Sequence, residues 1–466
     1  MASRCPFTIG RQGDIIEPTT PTGLTLNTTI IPEELKRLGY DTHIVGKWHL
    51  GFCNWNYTPT YRGFDTFSGF YLGAEDYYSH TRNFDEAFVE STASGTPRAA
   101  GYDYRSDTLV DWAASGNYSS FLFSDRADAV LRSRDPGTPL FLYVAFQSVH
   151  TPLQVPAQYS NLYSNISDHD RKIYLGMVTA MDEAVGRIVT SLKETGHYDN
   201  SVIVFTTDNG GQTSAGGNNW PLRGKKKTLW EGGTRGPAFI HSTLLSRPGS
   251  ISSRLVHVTD WYPTFVHLAG GSPPADIDGV NQWEALNNES LPDARDYFVY
   301  DLDQTNGPRA AVRWRKYKLI VGNAGSSEIT PSPPLREEFK HRIKPEHRDD
   351  EARNSENQKG PLKLTSDTVP DNAVGDERLK TASFHIPFNR MSSNIFANAN
   401  VTLQLFDVID DPSESVDLAD AEPIVVDLML AMLEDELPRY TPRDQPAADP
   451  ASDPSNFGGA WSPGWC

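Results

Sequence analysis

Cysteine is scarce in this chain: its 466 residues contain only Cys5, Cys53 and Cys466. An odd count of three excludes a scaffold stapled by many disulfides, and spacing alone fixes no pairing among them. Long apolar runs are also missing. No window approaches the roughly 18 consecutive apolar residues of a membrane span. The first residues show no basic stretch followed by an apolar one, so the chain as written carries no visible signal peptide. Basic residues are few, with 42 Lys and Arg against 60 Asp and Glu and a formal net charge of −18. That balance excludes general binding to nucleic acid or to anionic membranes. It leaves room for a local cationic pocket.

What is present suits a soluble globular protein, with 38% hydrophobic and 22% charged residues. The length allows two or three domains at roughly 150 residues each. Residues 28–45 read as a short helix and then a strand, with Pro32 in the first turn and Leu35 and Leu38 on one face. Phe121 to Leu131 reads as a helix, and Pro139 to Phe146 as an apolar strand leading to His150. Between 170 and 194, Tyr174, Met177, Val178, Met181, Val185, Ile188, Val189 and Leu192 recur at helical spacing. Val202 to Thr206 reads as the next buried strand. This alternation predicts an α/β fold, a large mainly parallel sheet flanked by helices.

Composition then changes. The stretch at about 324–398 is variable, and within it 324–380 is rich in Pro, Ser, Glu, Asp and Lys, the signature of a long surface loop or disordered insertion. Ala310 to Val321 before it reads as a strand pair. Val401 to Val408 and a helix near 422–435 follow it. Six Asn-x-Ser/Thr sequons stand at Asn27, Asn56, Asn117, Asn165, Asn288 and Asn400. They are glycosylation acceptors only for a chain that enters the secretory route.

The most informative run is VIVFTTDNGGQTSAGGNNWPLRGKKKTLWEGGTRG at 202–236. Asp208 and Asn209 sit where a strand opens into a glycine-rich loop, the place where α/β folds put their chemistry. Their oxygens suit a hard cation such as Ca²⁺ or Mg²⁺. Lys225, Lys226 and Lys227 follow. An isolated Asn-Gly is an ordinary turn, and three lysines are usually a solvated face. Lys47 and His49 lie two apart just past a strand, a spacing that puts both on one side of an extended segment. An exposed lysine beside a packed histidine is the plainer reading of that pair, as a capping or core histidine is of His150.

The long pattern around these residues decides otherwise. GKWHLG at 46–51, LGAEDYYSH at 72–80, PLFLYVAFQSVHTPLQVP at 139–156, MDEAVGRIV at 181–189 and LFDVIDDPSESVDLAD at 405–420 stand in one order. Together with 202–236 they resemble the sulfatase family, in its arylsulfatase B-like branch. The resemblance covers most of the chain outside 324–398. It implies a catalytic domain over 1–297 and, over 298–466, a smaller C-terminal domain of antiparallel sheet plus helix. It implies Lys47, His49 and His150 as catalytic residues, with His150 protonating the leaving alcohol. Lys226 and Arg4 would bind substrate, with the lysine uncertain by one position. Asp208 and Asn209 would bind Ca²⁺.

The family nucleophile is a formylglycine made from the Cys of a Cys-x-Pro-Ser-Arg motif by a formylglycine-generating enzyme. Here Ser3-Arg4 and Gly10-Arg11 fall in the family register, which puts the nucleophile one position ahead of Met1. Cys5 lies after Ser3-Arg4 and is not its equivalent. The first strand and its aspartate pair are absent as well, so the Ca²⁺ site is expected to be incomplete and Arg4 frayed. The reading is therefore a sulfuric-ester hydrolase recorded without its front, acting on an aryl sulfate or a sulfated sugar such as N-acetylgalactosamine sulfate of glycosaminoglycans. Lysosomal or secreted location follows from the same resemblance. A sulfatase-like glycoprotein that binds without turnover is the alternative. Another hydrolase of the alkaline phosphatase superfamily is the third reading.

Overall fold

Pro32 at the second position and Glu33, whose carboxylate accepts from the Ile30 amide at 2.8 Å, start helix α1 (Ile31–Arg37). It delivers the chain into strand β1 (Asp41–Lys47). The computed structural model describes residues 1–84, 99–305, 307–331 and 401–466, which belong to one compact unit. Strands β2 (Thr66–Phe70), β3 (Thr81–Phe84), β4 (Ala99–Tyr102), β5 (Arg105–Ser106) and β6 (Leu109–Val110) follow. Helix α2 (Ser119–Arg132) leads to β7 (Leu140–Ala145). The five-stranded sheet has the order β6-β5-β2-β1-β7; β1 runs parallel to both β2 and β7, and β5 and β6 add an antiparallel edge.

Alternation along β1 gives each face of this sheet its own core. Ile44 joins Phe64, Phe67, Tyr71 and Trp461 on one side. Val45 joins Phe70, Tyr104 and Phe123 of α2 on the other. Short α3 (Ala157–Ser160) precedes α4 (His169–Glu194), whose N-terminus is capped by the Asp168 carboxylate accepting from the Arg171 amide at 2.8 Å. The α4 helix packs along α2. Strand β8 (Ile203–Thr206), short α5 (Glu231–Thr234) and β9 (Ala238–His241) come next. Helix α6 (Trp261–Leu268) packs on α1, and α7 (Trp283–Asn287) follows.

The sequence reading placed β8 as a buried strand of the parallel sheet, and the structure differs. Among the described residues strand β8 pairs only with β9, antiparallel, and its own residues are half-buried or exposed. Among the described residues no strand bridges β7 and β8. An apolar run shows that a strand forms, but not what stands beside it.

A second sheet, wholly antiparallel, has the order β10 (Tyr297–Asp303), β11 (Arg309–Trp314), β12 (Tyr317–Val321), β13 (Leu403–Asp407). Helix α8 (Pro423–Glu436) covers β10 and β11. The strand pair, the later strand and this helix match the expected C-terminal element. Most of the polar insertion, residues 332–400, lies outside the described residues and includes the sequon at Asn400. Cys53 and Cys466 form a disulfide with Cα atoms 5.4 Å apart, a pairing that spacing had left open, and Cys5 is a buried free thiol.

Candidate active site

Strand β1 carries Lys47 at its end. Beyond it the backbone turns: His49 has φ +53°, the left-handed region that costs a residue with a Cβ. The two side chains therefore do not share a face through an extended segment, as spacing had implied. His49 is instead set by its own contacts. Its Nε2 donates to the Ile16 carbonyl at 3.2 Å, and its amide donates to the Tyr71 carbonyl at 3.0 Å. A Cβ on Gly73 would stand 2.6 Å from the His49 ring, so glycine is required there.

His150 follows β7, and its Nδ1 donates to the Thr151 carbonyl at 2.8 Å. Asp208 follows β8 and is exposed; the Asn209 amide donates to the Gly210 carbonyl at 2.9 Å. The Lys226 backbone amide donates to the Gly211 carbonyl at 3.3 Å, which ties the lysine loop to the Asp208 loop. Lys226 is also the lysine of its triplet that faces this place. Lys225 pairs with Glu328 at 3.0 Å, and Lys227 is exposed with its carbonyl accepting from Arg309.

These side chains act on one another. The Asp208 carboxylate acts on Lys47, His150 and Lys226, and both lysines act on both histidines. Burial and then Lys47 push His49 down to about 3; burial and then Lys226 push His150 down to about 4, against the Thr151 carbonyl. Burial likewise lowers Lys47 and Lys226, against the pull of Asp208. Both imidazoles are thus neutral near neutral pH, and each has its single proton on a backbone carbonyl. His49 Nδ1 and His150 Nε2 remain as acceptors. Burial beside two ammonium groups thus holds both below the ordinary histidine value of about 6.5. Two lysines against one carboxylate leave the cluster cationic within an acidic chain.

Arg4 is engaged elsewhere. Its guanidinium pairs with Asp276 and its side chain is only 21% exposed, so it is not frayed. The Ser3 hydroxyl beside it donates to the Thr259 carbonyl at 2.8 Å, and Met1 packs between two apolar clusters. Cys5 also stands elsewhere: burial first, then Glu436, push its thiol up to about 11. Among the described residues no three His, Cys, Asp or Glu side chains converge to hold a metal. Asp208 and Asn209 give two oxygen ligands, against the six to eight that Ca²⁺ takes. The donor set present does not fit a complete Ca²⁺ site. Asn27, Asn56, Asn117, Asn165 and Asn288 are all exposed. Arg82, which sequence reading passed over, adds a further positive charge acting on Lys47. It follows LGAEDYYSH by two residues, the one signal that could have marked it.

The sulfatase family profile matches residues 9–272. Mouse arylsulfatase J is 42% identical over 342 residues, which cover 69% of this chain and 55% of that protein. An arylsulfatase of Hemicentrotus pulcherrimus is 31% identical over 330 residues, covering 68% and 56%. Canine N-acetylgalactosamine-6-sulfatase is 29% identical over 280 residues, covering 58% and 51%. The chain spans about half the length of these curated relatives. In fold it is similar to Ps i-CgsB, solved in complex with k-i-k-neocarrahexaose, with a TM-score of 0.68, 24% identity and coverage of 95% and 82%. It is also similar to the PsFucS1 sulfatase of Pseudoalteromonas sp., with a TM-score of 0.60, 19% identity and coverage of 96% and 80%. The profile spans more than half of the residues, and the chain belongs to the sulfatase family.

Proposed function

We propose that this chain binds and hydrolyses sulfuric esters of sugars, and that the cluster at Lys47, His49, His150, Asp208, Asn209 and Lys226 is where it does so. The observation that carries the reading is the mutual influence of two ammonium groups, two acceptor imidazoles and one carboxylate, the ammonium groups making no ion pair within 4.0 Å among the described residues. Lys47 and Lys226, each partly shielded from water, draw charge from the sulfate oxygens. An anion held there raises the pKa of both histidines. His150 Nε2 then takes a proton from solvent and gives it to the alcohol oxygen as the ester S–O bond breaks, while His49 Nδ1 accepts a proton from the water that forms the new bond to sulfur. A sulfated N-acetylgalactosamine unit of a glycosaminoglycan is the finer expectation, supported by the names of the relatives.

Formylglycine, the family nucleophile, supplies a hydrated aldehyde whose hydroxyl attacks sulfur. Cys5 does not fit as its source, and no step here runs through it or through Ca²⁺. That same observation favours the second reading, binding of sulfated glycans without turnover. A partnership with a formylglycine-generating enzyme belongs to the hydrolytic reading alone. Exposed sequons and the Cys53–Cys466 disulfide support a secreted or lysosomal setting, and a boundary near residue 297 is our proposed division of the chain. The test pairs binding of inorganic sulfate with release of sulfate from an aryl sulfate, in the parent and in Lys47→Ala, Lys226→Ala and Asp208→Ala. We expect each lysine variant to lose roughly ten- to 150-fold in sulfate affinity, as a charged contact worth ~1.5–3 kcal/mol implies. Asp208→Ala should tighten sulfate binding and abolish any turnover. Sulfate affinity unmoved by both lysine changes would remove this cluster from the function.

A further inference from the structure

Lys318 is the one buried lysine among the described residues, on the inner face of β12 and fully shielded from solvent. Its Nζ lies 2.8 Å from Glu414 Oε1 and 3.1 Å from Glu231 Oε1. Burial opposes the charge on this ammonium, and Tyr300, Glu231 and Glu414 outweigh burial and hold it charged. Glu414 Oε2 also accepts from the Glu231 backbone amide at 2.7 Å. Strand β12 and the loop after β13 thus grip the first residue of α5 twice, Lys318 at its side chain and Glu414 at its backbone amide.

From α5 the contacts run straight to the anion cluster. The Gly232 amide donates to the Arg223 carbonyl at 2.7 Å, and the Gly210 amide donates to the Gly233 carbonyl at 2.9 Å. A Cβ on Gly210 would stand 1.8 Å from the Gly232 carbonyl oxygen, and one on Gly233 would stand 2.5 Å from the Lys225 and Thr228 oxygens. These backbones touch, so displacement of α5 displaces both the Asp208-Asn209 loop and the Lys226 turn. Thr228 closes that turn by donating to the Lys225 carbonyl at 2.7 Å.

We propose that Lys318 is a positioning residue for the anion cluster, fixing through Glu231 and Glu414 where Lys226 and the Asp208 loop stand. A buried lysine between two carboxylates contributes little net stability against an apolar replacement, because desolvation offsets the attraction. A role in geometry accounts for its place better than a role in stability. The proposal rests on the sulfate-binding reading only for its functional consequence, and the test separates the two.

The double variant Lys318→Met/Glu414→Gln leaves one buried carboxylate and keeps the net buried charge at −1, as in the parent. Two readouts are taken: the pH profile of Lys226 acetylation relative to Lys193, followed by mass spectrometry, and the affinity for inorganic sulfate. In the double variant the Lys226 midpoint should rise toward the ordinary lysine range as its turn loosens. Sulfate affinity should fall about tenfold, the scale of a displacement well under 1 Å. Leu433→Ala on α8, away from the triad, is the control: it lowers Tm and leaves the Lys226 profile in place. A double variant with lowered Tm and an unmoved Lys226 midpoint overturns the proposal. Should it fail to fold, Glu414→Gln alone keeps an oxygen for the Glu231 amide, and an unmoved midpoint there overturns it equally. Absence of sulfate binding in the parent, with the midpoint moved, would sink the functional reading and leave the positioning intact.

Discussion

The two sheet regions of this molecule are packed in opposite ways. In the second sheet Ala310, Ala311, Val312, Leu319, Ile320, Val321 and Leu405 are fully buried in consecutive runs, so neighbours cover both faces. Around β7, β8 and β9 the apolar residues are half-open: Tyr143 is 39% and Phe239 52% exposed. The outer edge of β7 and the free edge of β8 face no strand among the described residues. Yet β7 leads to His150 and β8 to Asp208. The sealed sheet anchors the fold and, through Lys318, the lysine loop. The open strands lead to two of the residues we propose as ligand contacts, His150 and Asp208. Regions that bind are drawn from the less stable end of a structure.

Truncation should separate the two regions most sharply. Leu319→Ala in the sealed sheet should lower unfolding free energy by ~2–5 kcal/mol, the range for a large-to-small change at a closed site. Val204→Ala in β8 should cost about 1 kcal/mol or less, because the valine is already partly exposed. Denaturant midpoints with an unchanged m-value measure both. Equal costs would mean that the β7–β8 region is closed in solution.

Hydrogen exchange gives the next largest contrast. Amides of β11 and β12 sit between partners on both sides and should exchange only through global opening. Those on the outer edge of β7 have no ladder partner among the described residues and should exchange about 1,000-fold faster. Protection of the β7 edge comparable to β12 would show that something pairs with it. An unpaired edge is also where this chain would recruit extended segments.

The pH response should be smaller and local to the open region. His49 and His150 have folded-state values near 3 and 4, below the ordinary 6.5. A lowered histidine contributes stability in full above about 6.5. The contribution is lost as pH falls through the folded value, because the unfolded chain takes up protons first. Stability should therefore decline between about pH 6.5 and pH 3, with the His150 share gone by about pH 4. NMR titration should show both imidazoles neutral until below pH 5. Inorganic sulfate should raise both midpoints, and a midpoint near 6.5 without it would contradict the burial seen here.

Long periodic or apolar segments were readable from the sequence: α1, β1, α2, β7, α4, the β11–β12 pair and α8 all carry an apolar pattern of the right period. Strands β5 and β6 are two residues each and have no period to read. Strand β10 ends Tyr-Asp-Leu-Asp, which looks like a loop until β11 pairs with it. Motif residues could be named because their local patterns are long. Their environment could not. Burial that neutralises His49, the left-handed turn at that residue and the Lys318–Glu231–Glu414 triad all join residues far apart in the chain. The openness of β8 depends on a neighbour, and sequence shows only the strand itself.

The smallest effect is expected at Arg4, and it sharpens the contrast at the level of single charges. Family register assigns this arginine to the ligand, whereas the structure pairs it with Asp276, a carboxylate 75% exposed. An ion pair with one partner so wet is screened, and its removal should cost no more than about 1 kcal/mol. Arg4→Ala should then leave inorganic sulfate affinity and the histidine midpoints where they are. Lys47→Ala, on the strand that reaches the cluster, should shift all of them. Sulfate affinity that fell as far in Arg4→Ala as in Lys47→Ala would mean that Arg4 releases Asp276 and swings to the ligand. The pairing seen here would then be a resting position, and the cationic cluster would be larger than Lys47, Lys226 and Arg82.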